Sequence, residues 1–177
     1  MSTRAKVIWA AIAVVAVGGA AGLYWFQPWK LFTNKTVNES LPVVVDAPAA
    51  PTATTSAAPQ NVLVATGTII THEHDSSGTV RLVRLASGQV QLVLENLATS
   101  DGPDLHVWLT DQAVLPGRDG WFVFDDGRYL ELGPLKANRG NQVYDVPAGT
   151  DLAGLTSVTI WCKRFAVSFA AAALNPV

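Results

Sequence analysis

Hydrophobic positions are distributed along this chain in two different ways. From Val7 to Phe26 (VIWAAIAVVAVGGAAGLYWF) they are continuous, twenty residues without a charge. At about 1.5 Å per residue, such a helix covers about 30 Å, the thickness of a bilayer's hydrocarbon core. From Val62 onward they come instead in short runs rich in Val, Ile, Leu, Thr and aromatics, broken by turn residues every ten positions or so. That pattern predicts an all-β domain, a sandwich or barrel-like fold of about eight strands, preceded by one N-terminal transmembrane helix. The strands are expected near 62–71, 79–86, 89–95, 104–110, 129–132, 142–146, 157–162 and 167–172. Ser87-Gly88 sits at hairpin spacing, and Asp101-Gly102-Pro103, Asp125-Asp126-Gly127 and Asn138-Arg139-Gly140 mark further turns. No segment after the apolar run sustains a 3.6-residue period, which argues against a helical domain, although 170–174 fits either a last strand or a short helix.

Between the two regimes the chain is dominated by Pro, Ala, Thr, Ser and Val, with Pro42, Pro48, Pro51 and Pro59 interrupting any regular element. This predicts a linker that spans about 30 Å as a coil and holds the domain clear of the membrane. The chain thus divides into a stub (1–6), an anchor (7–26), a Pro/Ala/Thr-rich linker (27–61) and a β domain (62–177). Asn34-Lys-Thr and Asn38-Glu-Ser match the glycosylation pattern, a short signal with little weight by itself.

Arg4 and Lys6 precede the apolar run, whereas Tyr24, Trp25, Phe26 and Trp29 follow as an interfacial aromatic group. The expectation is a single-pass plasma-membrane protein with a cytoplasmic N-terminus and an extracytoplasmic domain. A cleaved signal peptide is the rival reading, with candidate sites among Gly18 to Gly22. The absence of a clean A-x-A site followed by polar residues, and the aromatics beyond those positions, favour an uncleaved anchor. Residues 31–177 carry nine Lys and Arg against fourteen Asp and Glu, a balance of 9 − 14 = −5. That excludes the electrostatic footprint of a nucleic-acid or anionic-lipid binder.

Strand parity places the chemistry. Val90, Leu92 and Leu94 share one face, as do Leu105, Val107 and Leu109, leaving His106 and Trp108 on the other. Val158, Ile160 and Cys162 point the same way, so Cys162, the only cysteine, points into the core. An unpaired thiol outside the cytosol is either a small hydrophobe, a protected reactive group or half of an intermolecular disulfide. Arg164 is placed to approach the sulfur if the strand ends in a turn. His72 and His74 form an H-x-H pair on one face of an extended segment, yet two histidines are too few for a closed metal site, and no metal is expected.

Four stretches in order, GTIITHEHDSSG (67–78), GPDLHVWL (102–109), LGPLKANRGNQVYDVP (132–147) and SVTIWCKRFAVSFAAAAL (157–174), resemble the DM-thirteen domain family, found in bacterial membrane-anchored proteins and beside DOMON domains. The resemblance implies a β-sandwich-like extracytoplasmic domain with a proposed electron-transfer role. Its characteristic cysteine matches Cys162, either as a free thiol or as a ligand to a prosthetic group such as haem. His74 matches a family position, and His106 is the residue that would pair with Cys162 as a second haem ligand, although opposite parity argues against a shared face. The stretch 111–128 exceeds the family's usual connection, so any surface formed by Trp121, Phe122 and Phe124 belongs to this chain alone.

No G-x-S-x-G, P-loop, G-x-G-x-x-G, C-x-x-C or C-x-x-C-H motif is present, which argues against a classical enzyme. The leading expectation is a membrane-tethered redox module using Cys162, with an envelope redox partner. The alternative is a non-catalytic ligand-binding or adhesion domain on a stalk, reading its partner through the 121–124 loop.

Overall fold

A computed structural model describes residues 2–44 and 59–177. Thr3–Phe26 form a single helix, α1, with the Ser2 hydroxyl accepting from the Ala5 amide at its start and Gln27 in the left-handed conformation at its end. No α1 residue is buried against protein; among the described residues its apolar surface meets the domain at its C-terminal end, where Phe26 stacks on Phe165. A 3-10 turn follows at Pro28–Phe32. Its proline lies in the first turn, where a missing N–H costs nothing.

Apart from a second 3-10 turn at Gly117–Gly120, the remaining regular structure among the described residues is strand. In chain order these are β1 (Thr36–Asn38), β2 (Val62–Thr68), β3 (Ile70–Thr71), β4 (Ser77–Arg84), β5 (Val90–Ala98), β6 (Leu105–Thr110), β7 (Tyr129–Pro134), β8 (Arg139–Asp145), β9 (Ser157–Cys162), β10 (Val167–Ala173) and β11 (Asn175–Pro176). They form a six-stranded sheet in the order β1-β8-β5-β4-β2-β11 and a five-stranded sheet in the order β3-β10-β9-β6-β7. The inner faces meet in one core containing Val80, Leu92, Leu94, Val107, Leu109, Ile160 and Cys162. The expected all-β sandwich after one apolar helix is therefore the observed architecture.

The expected first strand, 62–71, is two strands in two sheets. β2 pairs with β4 and β3 with β10, and the chain crosses at Ile69, whose side chain is buried in the core. The crossing is tight: a Cβ on Gly67 would overlap the Ala173 carbonyl oxygen, so a glycine is needed where β2 passes β10. Residues 170–173 complete β10 rather than a helix.

Of the segment expected as a linker (27–61), residues 45–58 lie outside the described residues, and the part before them is bonded to the domain. Lys30 Nζ donates to the Gly102 carbonyl at 2.9 Å and lies 3.4 Å from Asp101 Oδ1, while the Thr33 hydroxyl reaches Asp101 Oδ2 at 3.1 Å. β1 then adds in parallel to the open edge of β8, from Thr36 opposite Arg139 to Asn38 opposite Asn141. Buried Asn138 grips this segment, donating to Asn34 Oδ1 at 2.8 Å and accepting from the Lys35 amide at 2.7 Å. Glu39 accepts from the Val143 amide at 2.7 Å and from Lys136 Nζ at 2.8 Å. Val43 and Asn61, on either side of residues 45–58, are joined by a 2.9 Å hydrogen bond. Composition suggested a coil because the segment lacks apolar periodicity. Its attachment instead uses main-chain pairing and polar side chains, which composition does not weigh.

The sandwich thus has two ends. The proximal end, where α1 arrives, carries 99–105 and the β9–β10 turn (163–166); the distal end carries the turns at 85–89 and 147–156.

Candidate functional site

Cys162 ends β9 at the proximal end, opposite Leu105 of β6 and Val167 of β10. Paired residues in adjacent strands share a face, and this one is the core face. The residue has no exposed surface, and its thiol is free. Burial pushes the thiol pKa up, partly offset by the backbone amides of Phe165 and Arg164 that turn toward it, while the nearby Asp104 and Glu73 carboxylates add to the rise. The resting group is therefore the protonated thiol. Arg164 does not approach the sulfur: its guanidinium donates to the carbonyls of Tyr24 and Trp25 at 3.2 and 2.8 Å.

The three histidines occupy three separate environments. His106 lies opposite Trp161 on the outer face of the five-stranded sheet. Its Nε2 is 3.0 Å from Asp104 Oδ1, and Glu131 Oε1 lies 2.6 Å from Nδ1 in a contact not aligned for a hydrogen bond. Glu131 also holds Lys163 Nζ at 3.0 Å. His74 packs on Phe169 with ring centroids 4.0 Å apart at the proximal end, and burial lowers its pKa against the opposing pull of Glu73 and Asp75.

His72 is not the partner of His74 on one face. β3 ends at Thr71, and beyond it both the His72 and His74 amides turn to the Phe169 carbonyl, sending the His72 ring to the outer layer beside Phe124 at 5.8 Å. There Nε2 is 3.1 Å from the Leu115 carbonyl and Nδ1 is 2.8 Å from Ser168 Oγ, which is 2.8 Å from Thr159 Oγ1. A carbonyl only accepts, so Nε2 carries the proton and Nδ1 accepts from Ser168. Burial lowers the His72 pKa against the Leu115 hydrogen bond, consistent with a neutral ring. Ser168 and Thr159 escaped sequence reasoning because nothing in the local pattern of β9 or β10 separates a bonded hydroxyl from a strand filler.

The 111–128 loop lies over this outer layer. Phe124 is fully buried and packs with Trp108, Trp161 and Ala171. The Trp121 carbonyl accepts from the Ser168 amide at 2.8 Å, and its ring packs against the main core. Only Phe122 of the three aromatics is exposed. The recognition surface expected from 121–124 is consequently spent on covering the sheet.

The family described as Electron transfer DM13 matches residues 68–174. The chain belongs to this family. No curated protein and no solved structure matches it. Within the DM13 domain the motif residues hold structure together: Gln142 donates to the Ala137 carbonyl at 2.6 Å and accepts from Tyr144 Oη at 2.8 Å, and Gly102 leaves room where a Cβ would lie 2.9 Å from the Phe169 ring. The haem expectation does not fit the DM13 domain in this chain. A haem thiolate must reach a planar macrocycle, but the Cys162 sulfur is sealed among close-packed core side chains. His106 stands on the opposite face of the sheet with both ring nitrogens against carboxylates.

Proposed function

We propose that this protein is a membrane-anchored, extracytoplasmic electron-transfer domain whose redox-bearing residue is Cys162, used as a thiol and not as a haem ligand. The observation that carries the reading is the DM13 match enclosing the chain's only cysteine. Two features support it. α1 is long and apolar enough to cross a membrane, with Arg4 and Lys6 in its first turn and Tyr24, Trp25 and Phe26 in its last, the arrangement of an N-in anchor. The thiol lies beneath the turn nearest that anchor, held protonated by its surroundings, so passing one electron from it to an envelope redox partner, which is thereby reduced, releases the thiol proton and leaves a thiyl radical.

Voltammetry of the full-length protein in lipid nanodiscs tests this. The expected result is a colourless protein with one titratable couple that disappears in Cys162→Ser and in Cys162→Ala, both checked for native circular dichroism. A couple that persists in both folded variants, or none in the wild type, refutes it.

A further inference from the structure

The proximal end of the sandwich carries apolar groups that the protein itself leaves uncovered. Trp25, Phe26, Trp29, Leu31 and Phe32 are all exposed, Phe32 at 85 %, and Phe165 joins them from the β9–β10 turn at 38 %. Their position relative to α1 is fixed by direct bonds. The last carbonyls of a helix have no intrahelical donors; here those of Tyr24 and Trp25 accept from Arg164, whose guanidinium also sits 5.5 Å from the centre of the Trp25 ring. A cation at a helix C-terminus further suits the helix dipole. Phe26 and Phe165 stack with centroids 5.7 Å apart, and Lys30 ties the following turn to Gly102.

Depth then follows from length. A helix of 24 residues covers about 36 Å, more than the roughly 30 Å hydrocarbon core, so its last aromatic residues fall in the interfacial layer where Trp and Tyr gather. A ring stacked on Phe26 lies at about the same depth.

We infer that the proximal end is a membrane-seating surface: Trp29, Leu31, Phe32 and Phe165 enter the headgroup–acyl boundary of the bilayer that α1 spans, and the domain rides on the membrane with its Cys162 end down. The occupant of this surface is the lipid interface and not a soluble protein, because the patch is continuous with the anchor and its cations are already engaged, Lys30 by Asp101, Lys163 by Glu131 and Arg164 by the helix end. Zwitterionic lipid is therefore sufficient. The inference rests on the reading of α1 as a membrane span.

The test uses the full-length chain in phosphatidylcholine vesicles. Nitroxide labels are placed one at a time at Val14→Cys, Phe32→Cys, Phe165→Cys and Ser87→Cys in a Cys162→Ala background, and collision with oxygen is compared with collision with a water-soluble nickel chelate. Labels at 14, 32 and 165 should favour oxygen, and the label at 87, in a distal turn, should favour nickel. Labels at 32 and 165 that behave like the one at 87, with 14 still in lipid, overturn the seating and leave the anchor standing; an aqueous label at 14 overturns both. Amide exchange of the chain with its native cysteine gives an independent reading should the cysteine-free background fail to fold. In vesicles, amides 163–166 should exchange about tenfold more slowly than in a Phe32→Asp, Phe165→Asp variant, and equal rates overturn the inference.

Discussion

Replacing His72 by phenylalanine tests the outer layer without emptying it. The substitution keeps an aromatic ring beside Phe124 but removes both polar ends, leaving the Leu115 carbonyl and the Ser168 hydroxyl facing a hydrocarbon edge. Ser168 keeps Thr159 Oγ1 at 2.8 Å and the Ala170 carbonyl at 3.1 Å, and the Leu115 carbonyl belongs to an exposed residue. Loss of two hydrogen bonds with no fully buried acceptor orphaned costs about 1–2 kcal/mol. The variant should also change the pH dependence of stability. Because burial depresses the native pKa of His72, the unfolded chain binds a proton that the native chain refuses once pH falls below the unfolded value of about 6.5. Stability contributed by His72 is therefore complete above that value, declines as pH falls through the window, and stops declining below the native pKa. His74 has the same sign, so the slope in His72→Phe should shrink without vanishing. Guanidinium denaturation of the full chain in detergent, at closely spaced pH values from 8 to 4, measures both effects. A variant as stable as the wild type with an unchanged acid slope would refute the buried, neutral assignment.

Two further expectations concern how the motif residues hold the edge segment and its supporting loop. Asn138→Ala removes the bonds to the Thr99 carbonyl, Asn34 Oδ1 and the Lys35 amide; it should cost about 2–4 kcal/mol and open residues 34–44 to limited proteolysis before the sandwich unfolds. Tyr144, raised to about 12 by burial, should show no phenolate absorbance until the alkaline unfolding transition, and Tyr144→Phe should cost about 1–2 kcal/mol through its bonds to Gln142 and the Lys136 amide.

What the sequence exposed and what it hid follow from the range of each interaction. The apolar helix was visible because an uninterrupted apolar run is a local property, and Cys162 was placed correctly in the core because Val158, Ile160 and Cys162 alternate strictly in one strand. The break at Ile69 was hidden: β-type residues run straight through it, and only the packing of Gly67 against Ala173 shows that the chain changes sheets. β1 was hidden for a different reason. Its three residues have no apolar pattern and are held by β8 and Asn138, about a hundred positions away. The aromatics of 121–124 were visible as a feature, but their sequence is the same whether they lie over a sheet or face solvent. The partners of His72 lie on the 111–128 loop and on β10, and no spacing rule joins them.

The burial of Cys162 separates two kinds of sulfur chemistry. Disulfide exchange requires one sulfur to strike another along the bond being broken, and a sulfur with no exposed surface cannot be struck until the β9–β10 turn moves. Electron transfer needs proximity without contact, so a sealed thiol permits it. The seal has two parts. The turn must open, and the thiol, whose pKa is raised, must then ionise before it attacks a reagent. Iodoacetamide should accordingly modify Cys162 in the native full-length chain at least about a thousandfold more slowly than in the unfolded chain, if opening the turn costs about 4 kcal/mol. Arg164 fastens that turn to the end of α1, and Arg164→Ala should speed the reaction while leaving global stability nearly unchanged. Native alkylation at the unfolded rate would mean that the turn does not close over the sulfur; Cys162 would then be open to exchange with other thiols, and a role confined to electron transfer would fail.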